Sequence, residues 1–150
     1  MSTEEQPPYN LPIFRRSFRA ASPNGAVIAE LLIAREVGMS NPTSGLLQLS
    51  TGVMISDCNP SFIWSDDSRY PAVPRWALRA GVLRGQRLLV VEPAKNQVFE
   101  SSWFWGFLQP ESFAKGQLVV VRNPTRPRPQ RLSWAIPAGL AGFTSRSVAA

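Results

Sequence analysis

Gln86-Arg-Leu-Leu-Val-Val91, Glu92-Pro-Ala-Lys-Asn96 and Gln97-Val-Phe-Glu-Ser101 follow one another without a break. The first is a short apolar run rich in β-formers, the second a turn cluster built on Pro93 and Asn96, and the third returns to β-forming residues. The stretch reads as strand, turn, strand. Such units, each too short for a helix of several turns, set the expectation for the whole chain.

Upstream, Ser22-Pro-Asn-Gly25 is a turn signal ahead of the apolar stretch Ala26–Ile33. Gly45–Leu49 and Val53–Ile55 flank Ser50-Thr51-Gly52 as a short hairpin. Ser61–Trp64 leads into Ser65-Asp-Asp-Ser68 and then Arg69–Trp76, while downstream Gln117–Arg122 precedes a proline-spaced loop over 123–129. Leu132–Ile136 is a candidate to close the sheet. With 10 Gly and 14 Pro recurring every few residues, little room is left for a long helix. Residues 35–45 and 137–150 read as loop, and Trp76–Arg84 has room for one helical turn. The prediction is a single, mainly β domain over 13–144, with flexible tails at 1–12 and 145–150.

A weak internal repeat runs through this pattern. Ser22-Pro-Asn-Gly25 matches Ser65-Asp-Asp-Ser68 at an offset of 43 residues, and Leu46–Ser50 matches Leu88–Glu92 at an offset of 42. Phe62-Ile-Trp-Ser-Asp-Asp-Ser-Arg-Tyr70, followed by Leu88-Leu-Val-Val-Glu92 and an Asn-containing turn, resembles one blade of a TolB-like β-propeller, and Ser22–Gly25 resembles a second, degenerate copy. Residues 59–70 are also similar to the string Asn-Pro-Ser-Phe-x-Trp-Ser-Asp-Asp-Ser-Arg-Tyr (NPSFxWSDDSRY) of small bacterial proteins. Propellers have about four to eight blades of roughly 40 residues each, more than 150 residues hold. The resemblance therefore implies two to three blade-like antiparallel sheets in a compact sandwich-like or open-barrel arrangement.

Composition narrows the chemistry. The chain has no His, which removes the commonest general base and metal ligand, and a single Cys, which excludes an internal disulfide. The start, Met1-Ser-Thr-Glu-Glu, is acidic and proline-broken rather than basic and then apolar, and no apolar run approaches the ~20 residues of a spanning helix. A cytoplasmic protein with no membrane role is expected. Residues 1–75 carry six Arg against seven acids; residues 76–150 carry eight Arg and two Lys against three acids, a net of +7. A basic half points to an acidic partner, with compositional bias as the competing reading.

Adjacent Asp66 and Asp67 could hold a cation or supply a base, but with Trp64, Ser65, Ser68 and Arg69 around them they read as a structural turn whose side chains bond nearby backbone N–H groups. Ser112-Phe-Ala-Lys115 has the Ser-x-x-Lys spacing of penicillin-recognising enzymes, yet sits in a connection rather than on a helix and lacks the companion motifs. Cys58 reads as a small buried hydrophobe, and no Gly-rich phosphate loop or metal-spaced cluster is visible. No catalytic residues, metal or cofactor are expected. Trp103-Phe-Trp-Gly-Phe107 places Trp103, Trp105 and Phe107 on one strand face and Phe104 on the other; a fully buried strand and an exposed anchor both fit.

The reading that follows is a non-catalytic protein-binding module, in concrete form a bacterial immunity-type inhibitor that plugs a toxin or effector enzyme. Arg79, Arg84, Arg126 and Arg128, with Trp103 and Trp105 as anchors, would meet a partner protein with an acidic surface. Nucleic-acid binding through an Arg-rich aromatic β surface is the alternative. An enzyme built on Asp66 and Asp67 is the weakest of the three.

Overall fold

The computed structural model describes residues 17–36, 43–59, 61–81, 83–123 and 127–148. The strands are β1 (Ser17–Ala21), β2 (Ile28–Glu36), β3 (Thr43–Leu49), β4 (Met54–Cys58), β5 (Ile63–Trp64), β6 (Pro71–Arg79), β7 (Leu83–Glu92), β8 (Gln97–Trp105), β9 (Leu108–Ala114), β10 (Gln117–Arg122), β11 (Gln130–Ala135) and β12 (Thr144–Ser147). Two 3₁₀ turns, Pro93–Lys95 and Ala138–Gly142, complete the architecture. All strand pairs are antiparallel. Nine strands form one sheet in the order β1-β2-β3-β4-β6-β7-β8-β12, with β5 beside β6, and β11-β10-β9 form a second; neither closes into a barrel. Among the described residues no helix is long and apolar enough to cross a membrane.

The large sheet works as two layers. β4 meets β6 through a single pair, Cys58 with Arg75, so the sheet folds over at this point. One core cluster then joins Leu31, Leu47 and Ile55 from β2–β4 to Val73, Leu89, Val91 and Val98 from β6–β8. A second joins Ala72, Leu88 and Val90, on the opposite face of β6 and β7, to Leu108, Phe113, Leu118 and Val120 of the small sheet. The β6–β8 layer is thus covered on both faces. That is why Leu88-Leu-Val-Val91 is apolar without alternation: each of the four is fully buried, worth about 1.5–3 kcal/mol apiece on transfer from water. Asn59 and Gln86, both fully buried, add a polar tie at the same junction: Asn59 Nδ2 donates to Leu108 O at 3.2 Å, and Leu108 N–H donates to Gln86 Oε1 at 2.6 Å.

The sandwich-like packing of antiparallel sheets holds, as do the expected hairpin at Ser50–Gly52 and the strand pair around 92–96. Several local readings do not. Trp76–Arg84 has no helical turn: β6 and β7 form a hairpin that reverses at Ala80 and Gly81, both at positive φ. Cross-strand pairing runs without a break from Ala72–Val90 to Arg79–Leu83, and it carries the strand through the stretch. The 35–45 loop shrinks, because β2 runs to Glu36 and β3 starts at Thr43. Residues 137–150 contain a 3₁₀ turn and β12, which pairs with β8, so a strand occupies part of the stretch read as a C-terminal tail. β11 is an edge strand rather than a closing one. Ser112 lies on β9, not in a connection, and Lys115 follows in the turn. The tail read at 1–12 lies outside the described residues.

Candidate protein-binding face

Strand pairing decides which arginines and tryptophans meet. Arg75 is opposite Arg87, and Arg87 opposite Trp103; the next row brings Ala77, Gly85 and Trp105 together. Directly paired residues share a face, so Trp103 and Trp105 stand side by side on one face of β8, their rings edge to face at 5.8 Å. Phe104 points the other way and packs on Trp134. Trp103 is fixed from below, because its Nε1–H donates to Ala77 O at 3.1 Å and its ring covers Gly85. A Cβ at Gly85 would meet Trp103 Cε2 and Cζ2 at 2.5 Å and collide with the Phe104 carbonyl oxygen. Glycine is the residue this close approach requires.

The fully buried aromatic strand is not what forms. Trp105 is 47% exposed, and Trp103, Phe104 and Phe107 are half-buried. Gly106, at φ +88°, ends the alternation, so Phe107 leaves the tryptophan row and sits edge-on against Trp76 at 5.5 Å. Asn123 stabilises this corner: its N–H donates to Phe107 O at 2.8 Å, and its Oδ1 accepts from Phe107 N–H at 3.2 Å.

The same corner carries arginine. Arg122 Nε donates to Trp105 O at 3.1 Å and Nη1 to Gln130 Oε1 at 3.2 Å. Arg128 is exposed in the connection from β10 to β11. Backbone pairing puts Arg79 opposite Leu83 and Arg84 opposite Leu78, at the end of the β6–β7 hairpin beside the Trp105 row. The side chains of Arg79 and Arg84, and Arg126 as a whole, lie outside the described residues. Gly85 and Asn123 are not in the sequence-predicted set. A glycine inside a strand run was the signal available for Gly85.

Elsewhere four arginines are matched by carboxylates. Arg19 pairs with Glu30 at 3.0 Å, Arg69 with Glu92 at 2.9 Å, Arg87 with Glu100 at 3.3 Å and Arg131 with Glu111 at 3.0 Å. The Arg131 guanidinium holds the Glu111 carboxyl below its usual range. Among the described residues, Arg122 and Arg128 form no ion pair.

The groups that suggested chemistry are otherwise engaged. Ser65 Oγ donates to Asp67 Oδ1 at 2.6 Å, Arg69 N–H donates to the same oxygen at 3.0 Å, and Tyr70 N–H donates to Ser65 Oγ at 2.9 Å. The Ser65 hydroxyl, followed by the Arg69 N–H, lowers the Asp67 carboxyl from its ordinary value. Asp66 faces the neighbouring sheet: Oδ2 accepts from Lys115 N–H at 2.9 Å, and its own N–H donates to Phe113 O at 3.0 Å. Trp64 is core, with Nε1–H donating to Ala20 O at 3.2 Å. Cys58 is fully buried, which pushes its thiol up to about 12. Among the described residues no three His, Cys, Asp or Glu side chains gather as a metal site.

No family model, no curated protein and no solved structure matches the chain.

Proposed function

We propose that the chain is a non-catalytic protein-binding module, acting in the cytoplasm, whose arginine–tryptophan end docks on an acidic protein surface. Its concrete form is an immunity-type inhibitor that covers the active site of a toxin or effector enzyme. The observation carrying this reading is the meeting of Trp105, 47% exposed, with Arg122 bound to its carbonyl and Arg128 nearby in chain order, at one end of the β6–β8 layer. Trp and Arg dominate interface hot spots, and an Arg cluster steers an acidic partner toward them.

The engaged state of Asp66, Asp67 and Cys58 supports a non-catalytic role, since each is tied into a turn or a core. The aromatic geometry favours protein over nucleic acid. Non-specific single-strand binders offer successive ring faces to stacked bases. Here Trp103 is committed to Ala77 and Gly85, leaving Trp105 as the exposed ring of the pair.

A fluorescence titration with single-stranded oligonucleotides at low salt separates the two readings. The expected result is no saturable quenching of tryptophan emission. Quenching that saturates and weakens steeply with salt would replace protein binding with nucleic-acid binding.

A further inference from the structure

Away from the arginine–tryptophan end, a groove of about 380 Å³ opens between the Ser65–Tyr70 turn, the Pro93–Lys95 turn and the segment leading into β12. Arg69, Tyr70, Glu92, Lys95, Phe99 and Phe143 supply its charged and aromatic lining. The floor is aromatic. Tyr70 is buried, Phe99 and Phe143 are half-buried, and Phe143 is held edge-on against Trp134 at 5.7 Å.

The wall is charged and pre-set. The Glu92 side chain is only 6% exposed, and its Oε2 accepts from both Nε and Nη2 of Arg69 at 2.9 Å. The guanidinium carbon also lies 4.9 Å from the centre of the Tyr70 ring. Arg69 is therefore held by two partners and keeps three N–H donors that Glu92 does not use. Glu92 cancels Arg69, which leaves Lys95, exposed and without an ion pair among the described residues, as the excess charge of the lining. A cation would be repelled by it. A neutral ligand would leave the ammonium unused.

We propose that this groove binds a small organic anion with an aryl body, bearing a carboxylate or phosphate. The head would take Lys95 and the spare Arg69 donors, and the ring would lie on Phe99 and Phe143. The volume is near the lower end of the roughly 300–1,000 Å³ of small-molecule sites and suits one ring with a short side chain. This inference is independent of the protein-docking reading, because the two surfaces share no residue.

The test is a ¹⁵N NMR titration of the full chain with phenylacetate and phenyl phosphate, with benzyl alcohol as the uncharged control. At least one anion should give saturable shifts at the amides of Lys95, Gln97 and Phe143, and benzyl alcohol none. Lys95→Gln, at an exposed site outside the core, should weaken binding about tenfold, the loss expected for one charge-assisted contact. Three results would each overturn the proposal: no saturable shift with either anion up to roughly 10 mM, well beyond a useful small-ligand affinity; equal affinity in Lys95→Gln; or equal binding of benzyl alcohol.

Discussion

The backbone N–H of Asn24 donates to the hydroxyl of Ser68 at 2.8 Å, across 44 residues of sequence. This bond joins two turns built alike. In the first, Ser22 Oγ and Ala26 N–H both donate to Asn24 Oδ1, Val27 N–H donates to Ser22 Oγ, Ser22 N–H to Val27 O, and Gly25 N–H to Ser22 O. In the second, the same bonds recur at Ser65, Asp67, Arg69, Tyr70 and Ser68, each 43 residues on. The position with positive φ also corresponds, Gly25 at +74° and Ser68 at +65°.

Ser68 therefore trades backbone strain for a bond to the other turn. Ser68→Ala keeps the strain and loses the bond, and should cost about 1–2 kcal/mol. Ser68→Gly loses the bond but relieves the strain, and should stay within about 1 kcal/mol of wild type. Denaturant unfolding of the pair checks the order; Gly less stable than Ala would contradict it.

Asn24 occupies the place of Asp67, so the geometry accepts an amide oxygen where it accepts a carboxylate. Asp67→Asn should be mild, and Asp67→Ala, which removes the acceptor from both Ser65 and Arg69, should cost about 1–2 kcal/mol. The folded state lowers the Asp67 pKa, chiefly through the Ser65 hydroxyl. Its contribution is therefore present above about pH 4, the ordinary carboxyl value, and is lost as pH falls through the lowered folded value. Acid titrations of stability should show the wild type losing its advantage over Asp67→Asn in that range.

Burial reverses the sign at Cys58. The unfolded thiol ionises near pH 8.5, whereas the folded one keeps its proton to about 12. Above about pH 8.5 the native state holds the extra proton, so stability falls as pH rises, by up to about 1.4 kcal/mol per pH unit. Cys58→Val, of similar size, removes this dependence. The measurement is the difference in unfolding free energy between wild type and Cys58→Val from pH 8 to 10.5, and it should shift steadily in favour of the variant.

Gly85 lies under the Trp103 ring, with the Phe104 carbonyl on the far side. Gly85→Ala forces Trp103 off Ala77 O and strains the β7–β8 pairing, for an expected loss of about 2–4 kcal/mol. Thermal unfolding and the near-ultraviolet tryptophan signal should change together. A variant with wild-type stability and an unaltered signal would show that the ring does not sit there.

Much of the fold was legible because short apolar runs and turn clusters are local signals. Leu88–Val91, Ser50–Gly52 and the Ser65–Tyr70 turn all declare themselves within ten residues. What the sequence concealed is relational. Nothing near Trp76–Arg84 states that Trp103 will cross to Ala77, and Ala80 is an unusual residue for a positive-φ reversal. The aromatic run reads as one strand through Phe107, whereas Gly106, at positive φ, ends the alternation before it. For the site, residue types were legible and partners were not: Glu92 neutralises Arg69 and Glu100 faces Arg87, so the count of basic residues overstated the free charge.

The docking end is tested most directly by affinity capture from the source organism's lysate at moderate salt, with wild type beside Trp105→Ser and Arg122→Gln and the eluates read by mass spectrometry. Trp105 is half-exposed and Arg122 lies in the exposed corner, so both variants should stay folded, as circular dichroism would verify. The account predicts one stoichiometric acidic protein on the wild type, strongly reduced on both variants. No captured protein, nucleic acid in its place, or a partner held equally by all three chains would contradict it.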